Sequence, residues 1–145
     1  MVKISFQRLN DAAILPKKMT EGSSGYDVYA CLSEDITLLP MKRMAVPTGL
    51  SLSIPKGYEA QVRARSGLAL KHGIAVLNAP GTIDSDYRGE VKVILANLGE
   101  EPVLISHGMR IAQLVFSQVE EVEFVEVQSL EPSSRAQGGF GHSGY

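Results

Sequence analysis

Much of this sequence is a series of short apolar runs separated by prolines and glycines, a pattern that limits the folds open to the chain. The chain has seven prolines in 145 residues, and most of them fall between the runs. Residues 50–54 (Leu-Ser-Leu-Ser-Ile) alternate strictly, and Pro55 and Gly57 follow them. Alternation with period two is typical of half-buried strands, and many short strands at near-regular spacing are typical of sandwiches and barrels. We therefore predict an all-β sandwich or barrel.

The predicted strands are all short, and turn residues bound most of them. Pro47 is expected to separate a run at 44–46 from the run at 50–54, because proline cannot donate a ladder hydrogen bond. The predicted strands are residues 3–9, 26–30, 36–39, 44–46, 50–54, 58–65, 74–77, 91–96, 103–105, 110–116 and 122–127.

One segment, residues 66–72, breaks the β pattern. Ser66 can serve as an N-cap, helix formers follow it, basic residues stand near its end, and Gly73 can serve as the C-cap. We predict a single short helix of about two turns there.

Composition limits the class of protein. The chain is 44% hydrophobic and 21% charged, which fits a single globular domain with a real core. A formal net charge of −2 provides no global field that would attract nucleic acid, so an anion site must be local. No apolar run is long enough to span a membrane, and the N-terminus lacks the apolar segment of a signal peptide.

Cys31 is the only cysteine, so no disulfide can form within the chain. It stands in an apolar run, and a buried, inert thiol in a reducing compartment is the expected state. Cytoplasm is therefore the expected location.

Residues 78–90 contain the densest group of chemically active side chains. Pro80 and Gly81 open this stretch and Gly89 closes it, so the chain should turn back between strands 74–77 and 91–96. Asp84 and Tyr87 lie between these turns. An ordinary hairpin turn and a functional site explain these residues about equally well.

Three other stretches allow a functional and a structural interpretation. Arg65 before a helix start could bind an anion or form part of an ordinary cap. Gln113, among apolar neighbours, needs hydrogen-bond partners from a ligand or from the backbone. The glycine-rich tail at 135–144 could close over a ligand through its lone Phe140 or remain a flexible end.

The histidines have no spacing suited to a zinc site. Four carboxylates could support a hard cation such as Mg²⁺ through water, especially beside a ligand with phosphates. They are Asp27, Asp84, Asp86 and Glu90.

Five segments occur in a fixed order along residues 25–144, and together they resemble the five motifs of the trimeric deoxyuridine triphosphatases (dUTPases). They are Gly-Tyr-Asp at 25–27, Arg-Ser-Gly-Leu-Ala at 65–69, Gly-Thr-Ile-Asp-Ser-Asp-Tyr-Arg-Gly-Glu at 81–90, Gly-Met-Arg-Ile-Ala-Gln-Leu at 108–114, and the tail 135–144. The resemblance implies a jelly-roll β-domain at 1–131 that assembles as a homotrimer with three sites at subunit interfaces. It also implies a flexible tail at 132–145 that closes over a neighbouring subunit's site.

The implied reaction is Mg²⁺-assisted hydrolysis of dUTP to dUMP and pyrophosphate, which limits uracil in DNA and supplies dUMP for thymidylate synthesis. Asp84 resembles the catalytic carboxylate that orients the attacking water, and Asp27 resembles the residue that holds a metal-bound water. The substrate-binding residues implied by the resemblance are Arg65, Ser66, Gly67 and Gln113 for the phosphates; Asn78, Gly81, Thr82, Ile83, Asp84 and Tyr87 for uracil and deoxyribose; and Arg135, Gly138, Gly139, Phe140, Gly141, His142 and Ser143 from the tail.

The tail departs from the family pattern, since Ala136-Gln137 stands where Gly-Glu is frequent and His142 stands where serine is frequent. Two rival functions remain open from the sequence. One is a dCTP deaminase of the same fold, and the other is a β-trimer that binds nucleotides or a protein without turnover.

Overall fold

The structure is a computed structural model that describes residues 1–140. Within this range the chain forms ten strands and one short helix. They are β1 (Ser5–Arg8), β2 (Tyr26–Tyr29), β3 (Ile36–Leu38), β4 (Arg43–Ser53), β5 (Tyr58–Arg63), α1 (Ser66–His72), β6 (Ile74–Val76), β7 (Gly81–Ile83), β8 (Glu90–Asn97), β9 (Val103–Ile105) and β10 (Arg110–Gln118).

The strands form two four-stranded sheets and a two-stranded ribbon, all antiparallel. The first sheet has the order β1-β4-β8-β6, the second β2-β10-β5-β7, and β3 pairs with β9. Side chains from both sheets and from the ribbon share one core, which explains the alternation along the strands. The most deeply buried of them include Val46, Leu95, Ile105, Ile111 and Leu114. The predicted all-β sandwich is confirmed.

Pro47 does not end a strand, which corrects the predicted separation of 44–46 from 50–54. β4 runs through it as one strand of eleven residues, and its register with β8 shifts between Pro47 and Ser51. Such a bulge tolerates a proline because the ladder is already interrupted. At the bulge, the hydroxyl of Thr48 donates a hydrogen bond to the Val91 carbonyl at 2.6 Å, so this carbonyl has a partner where the ladder is interrupted.

The helix is confirmed, but its N-cap is Arg65 rather than Ser66. Arg65 keeps extended dihedrals (φ −91°, ψ 126°), so the chain becomes helical only at Ser66, and no side chain caps the helix. Gly73 is the C-cap in the left-handed conformation, with φ 66°. Within the described residues no helix is long and apolar enough to cross a membrane.

The predicted strand at 122–127 is wrong. This segment is irregular, and its apolar side chains are exposed, with Phe124 at 96% and Val122 at 73%. The sequence pattern is that of a strand, but the described part of the chain supplies no partner strand for it. A strand requires a neighbouring edge, and period-two alternation alone does not provide one.

Candidate functional site

The hairpin predicted around residues 78–90 is present, and it connects the two sheets. β6 pairs with β8 in the first sheet, with Val76 opposite Leu95. Between them the chain crosses to the second sheet, where Gly81 of β7 pairs with Val62 of β5. The sequence did not indicate β7 as a strand.

A pocket of about 390 Å³ opens beside this hairpin. Residues of β4 and β8 form one side, and β7 with the loop after it forms the other. The lining residues are Ala45, Val62, Asn78, Gly81, Thr82, Ile83, Asp84, Tyr87, Glu90, Val91, Lys92 and Ile94. The pocket therefore contains every residue that sequence analysis assigned to uracil and deoxyribose.

β7 is the last strand of its sheet, and its outer edge has no partner strand within residues 1–140. Backbone donors and acceptors at such an edge can pair with an added ligand as they would with another strand. The Asn78 side chain lies against this edge, because a β-carbon on Gly81 would stand 3.1 Å from Asn78 Nδ2.

The loop from Asp84 to Glu90 is held by its own hydrogen bonds. The amide of Tyr87 donates to the Asp84 carbonyl at 3.2 Å, which closes a tight turn. The Tyr87 hydroxyl donates to the Glu90 carbonyl at 3.0 Å. Arg88 Nη1 donates to the carbonyls of Ser85 and Tyr87 at 2.7 and 2.9 Å. The carboxylate of Asp84 and the ring of Tyr87 therefore reach the pocket from a defined backbone.

A second concave region, a groove of about 400 Å³, brings together three segments distant in sequence. These are the loop before β2, the start of α1 and the start of β10. The groove is lined by Met19, Ser23, Ser24, Gly25, Asp27, Arg65, Ser66, Gly67, Arg110 and Gln113. All four residues predicted to bind phosphate lie here, together with Asp27.

The charges in the groove are paired around Asp27, which is only 9% exposed. Its Oδ2 accepts a hydrogen bond from Arg110 Nη1 at 3.1 Å and lies 3.7 Å from Arg65 Nε. Arg65 also donates from Nη1 to the Arg110 carbonyl at 3.0 Å. Two guanidinium groups share one carboxylate, so the groove keeps net positive charge at the start of α1, where backbone N–H groups point outward.

Gln113 is half-buried and has partners, as its apolar neighbours required. Its Nε2 donates to the Ala64 carbonyl at 3.2 Å. Its amide lies directly against Gly25, where a β-carbon would stand 2.9 Å from Gln113 Cδ. Gly25 therefore keeps space for the glutamine side chain.

No group of three or more His, Cys, Asp or Glu side chains within residues 1–140 could enclose a metal ion. Asp27 contributes the only carboxylate of the groove. A cation here would therefore need a phosphate ligand and water to supply most of its coordination, because the one carboxylate is already paired with two guanidinium groups.

The pocket and the groove share no lining residue. The described part of the tail lines neither of them. Arg135 Nε donates to the Gly138 carbonyl at 2.7 Å within the tail, and Phe140 is fully exposed. Gly141, His142 and Ser143 lie outside the described residues. Within the described residues, the pocket, the groove and the tail are therefore three separate parts of one chain.

The model of the dUTPase family matches residues 11–144 of the chain. A deoxyuridine 5'-triphosphate nucleotidohydrolase of Chlamydia muridarum is 56% identical over 140 residues, which cover 96% of this chain and 97% of that protein. One from Fusobacterium nucleatum is 52% identical over 145 residues, 99% of each chain. The chain belongs to the dUTPase family.

Solved dUTPase structures share the fold. A Staphylococcus bacteriophage 80alpha dUTPase mutant with dUpNHpp superposes with a TM-score of 0.86, at 26% identity and 99% coverage of both chains. A dUTPase mutant from phage phi11 of S. aureus superposes with a TM-score of 0.79 at 22% identity, covering 88% of this chain and 97% of that one. These likenesses confirm the jelly-roll-like fold expected for a dUTPase.

Some lining residues of this dUTPase chain were not among the predicted site residues. Arg110 belongs to a quoted motif, but its contact with Asp27 joins residues far apart in sequence. Ser23 and Ser24 belong to a polar stretch that was predicted as a loop, and Lys92 belongs to the predicted strand at 91–96. Strand pairing brings Arg110, Ser23 and Ser24 to the groove and Lys92 to the pocket.

Cys31 is 8% exposed and packs beside Ala13 and Leu50. Burial raises the pKa of its thiol, and the Glu90 carboxylate raises it further. A raised pKa leaves little thiolate near neutral pH, so the expected inert thiol is supported by its surroundings.

Proposed function

We propose that this chain hydrolyses dUTP to dUMP and pyrophosphate by attack of water on the α-phosphate. The observation that carries the proposal is the pocket in which Asp84 and Tyr87 stand beside the open edge of β7. Membership of the dUTPase family and the names of its relatives agree with this chemistry.

Recognition of uracil follows from the edge of β7. Uracil presents an acceptor at O4 and a donor at N3, and the backbone of residues 81–83 together with the Asn78 amide can satisfy both. Cytosine reverses these two groups and leaves buried partners unpaired, at a cost of about 1–3 kcal/mol each. The pocket thereby selects uracil, because cytosine would leave these hydrogen bonds unmade.

The sugar is selected by Tyr87 and positioned by Asp84. The ring of Tyr87 forms a wall of the pocket, and a ribose 2′-hydroxyl would have to displace it. The Asp84 carboxylate accepts from the 3′-hydroxyl and holds the attacking water. Asp84 thus contributes orientation as well as proton acceptance.

The triphosphate lies in the groove. Arg65 supplies charge, Ser66 and Gly67 supply outward-facing N–H groups at the start of α1, and Gln113 supplies a side-chain amide. Such donors stabilise charge that builds on the phosphate oxygens as the bond between the α- and β-phosphates breaks.

Mg²⁺ fits the groove as a companion of the substrate. Asp27 would hold it through a water molecule, and the substrate phosphates would supply the remaining ligands. A bound Mg²⁺ neutralises charge on the phosphates and polarises them toward attack. The protein's own part is to keep Asp27 oriented, through Arg110, toward this position.

A homotrimer with shared sites explains why one chain presents the pocket and the groove separately. One subunit supplies the groove, a second supplies the pocket, and the tail at 132–145 of a third closes over both. Phe140 would stack on uracil, and Arg135 with the backbone of residues 138–139 would contact the far end of the triphosphate, followed by residues 141–143. The exposed apolar side chains of 119–130 suit contact with another subunit.

We also propose that the enzyme works in the cytoplasm, since its lone buried cysteine suits a reducing compartment.

The test is pyrophosphate release with Mg²⁺ from dUTP, dTTP, dCTP and UTP in parallel. Release from dUTP alone supports the reaction and its selectivity. Ammonia release from dCTP would favour the deaminase. Binding of dUTP with no release from any nucleotide would favour a nucleotide-binding module, and a dimer by light scattering would overturn the shared sites.

A further inference from the structure

The ring of Tyr87 packs on the backbone of Gly89. A β-carbon on Gly89 would collide with the Tyr87 hydroxyl oxygen and would lie 2.6 Å from Cζ and 3.0 Å from Cε2 of the ring. The φ of Gly89 lies outside the left-handed region that glycine alone favours. Space for the Tyr87 ring, and not backbone conformation, therefore accounts for the glycine.

Tyr87 is held at both of its ends while its ring rests on Gly89. Its amide donates to Asp84 and its hydroxyl donates to Glu90, at 3.2 and 3.0 Å. The side chain spans the turn and remains 47% exposed, so part of the ring lies open to the pocket.

Ser51 ties this turn to the core of the first sheet. Its hydroxyl donates to the Arg88 carbonyl at 2.6 Å, and Ser51 itself is only 7% exposed. It stands opposite Glu90 in the ladder, where the β4 bulge ends. The Gly49 amide donates to Glu90 Oε1 at 3.0 Å on the bulge itself. The bulge therefore fixes the backbone of residues 88–90, which in turn supports the ring.

We propose that Gly89 and Ser51 are positioning residues that set the discrimination between deoxyribose and ribose. Gly89 permits close approach of the Tyr87 ring, and Ser51 fixes the position of the backbone on which the ring packs. The inference rests on the proposed function, in which Tyr87 forms the sugar wall. It assigns the selectivity of that wall to residues that touch no substrate.

The experiment compares kcat/KM for dUTP with kcat/KM for UTP in the wild type and five variants. Gly89→Ala and Ser51→Ala test the two residues. Gly22→Ala is the matched glycine control, because a β-carbon there meets nothing within 4 Å. Ser53→Ala is the matched serine control, from the same strand and with no side-chain hydrogen bond found among the described residues.

We expect the ratio of the two kcat/KM values to fall about tenfold or more in Gly89→Ala, because a displaced wall loses its preference for one substrate. In Ser51→Ala we expect a smaller fall, with KM for dUTP rising more than kcat declines. Ser51→Thr keeps the hydroxyl, so we expect it to keep the wild-type ratio. A role in which Ser51 only fills space would not require the hydroxyl. Both controls should keep the wild-type ratio.

An unchanged ratio in Gly89→Ala and Ser51→Ala, with wild-type dUTP hydrolysis intact, would overturn this inference and leave the proposed function standing. If Gly89→Ala does not fold, the comparison of Ser51→Ala with Ser51→Thr decides. A wild type that releases no pyrophosphate from dUTP would overturn the proposed function instead. Crystal structures of the ligand-free variants would then decide the positioning, since an unmoved Tyr87 ring contradicts it without reference to catalysis.

Discussion

Oδ2 of Asp27 lies 3.1 Å from Nη1 of Arg110, a contact that joins the first and fourth of the five sequence motifs. The carboxylate is nearly buried, and the guanidinium group holds it in one orientation. We expect the pair to serve both stability and substrate binding, so its removal should affect both.

Asp27→Asn should lower the thermal midpoint and raise the Mg²⁺ concentration needed for half-maximal activity. The neutral amide leaves two guanidinium groups without a counter-charge, which costs about 1–3 kcal/mol for a partly buried pair. Thermal unfolding at fixed protein concentration and Mg²⁺ titration of turnover measure the two effects. Asp35→Asn, at an exposed carboxylate, is the control, and equal effects in both variants would contradict the assignment.

Asp84→Asn should bind dUTP about as tightly as the wild type and hydrolyse it about 100- to 10,000-fold more slowly, the range for loss of a general base. The amide keeps the shape of the side chain but cannot accept the proton of the attacking water. Calorimetric titration measures the binding of dUTP, and single-turnover kinetics measure its hydrolysis. Asp86→Asn removes the neighbouring carboxylate, which does not line the pocket, and should keep activity. Unchanged turnover in Asp84→Asn would remove this residue from the mechanism.

Truncation after Glu131 should leave a folded assembly with little turnover. Residues 132–140 have no described contacts that support the two sheets, so the core does not depend on them. Circular dichroism, light scattering and pyrophosphate release test this on one preparation. Phe140→Ala in the full chain isolates the stacking contribution, and full activity of the truncated chain would exclude the tail from the site.

Gly25→Ala should raise KM for dUTP and leave the fold intact. The added methyl group would press on the Gln113 amide and turn it from its position in the groove. Gly22→Ala lies three residues earlier in the same loop, where the added methyl group is unobstructed, and should behave as the wild type. Steady-state kinetics of the two variants decide the matter, since equal KM values would show that Gln113 does not bind substrate.

Cys31 should make the free energy of unfolding depend on pH in the alkaline range. Its thiol has a pKa above the ordinary value of 9.0 in the folded chain, from burial and then from Glu90. The unfolded chain therefore loses this proton first, so the contribution is complete below pH 9.0 and is lost as pH rises through the folded pKa. The thermal midpoint of the wild type should fall more between about pH 8 and pH 10 than that of Cys31→Ala. Equal pH dependence in the two proteins would contradict the burial argument.

Local pattern was sufficient for most strands and for the helix. The alternation at 50–54, the turn residues around 78–90 and Gly73 at the helix end all act over a few neighbouring residues. The predicted break at Pro47 was wrong because the bulge that tolerates this proline depends on β8, which lies far along the chain. The predicted strand at 122–127 was wrong for a related reason, since no described strand offers that segment an edge.

The same distinction divides the candidate site. The order of the five motifs follows from the sequence alone, as does the identity of the charged, amide and aromatic side chains, because these properties belong to single residues and short segments. The folded chain is needed to bring Asp27, Arg110 and Gln113 into one groove and Asp84 and Tyr87 into a separate pocket. Those groupings follow from the pairing of β10 with both β2 and β5 and of β7 with β5. Pairing depends on burial and hydrogen bonding between distant segments, which no local pattern specifies.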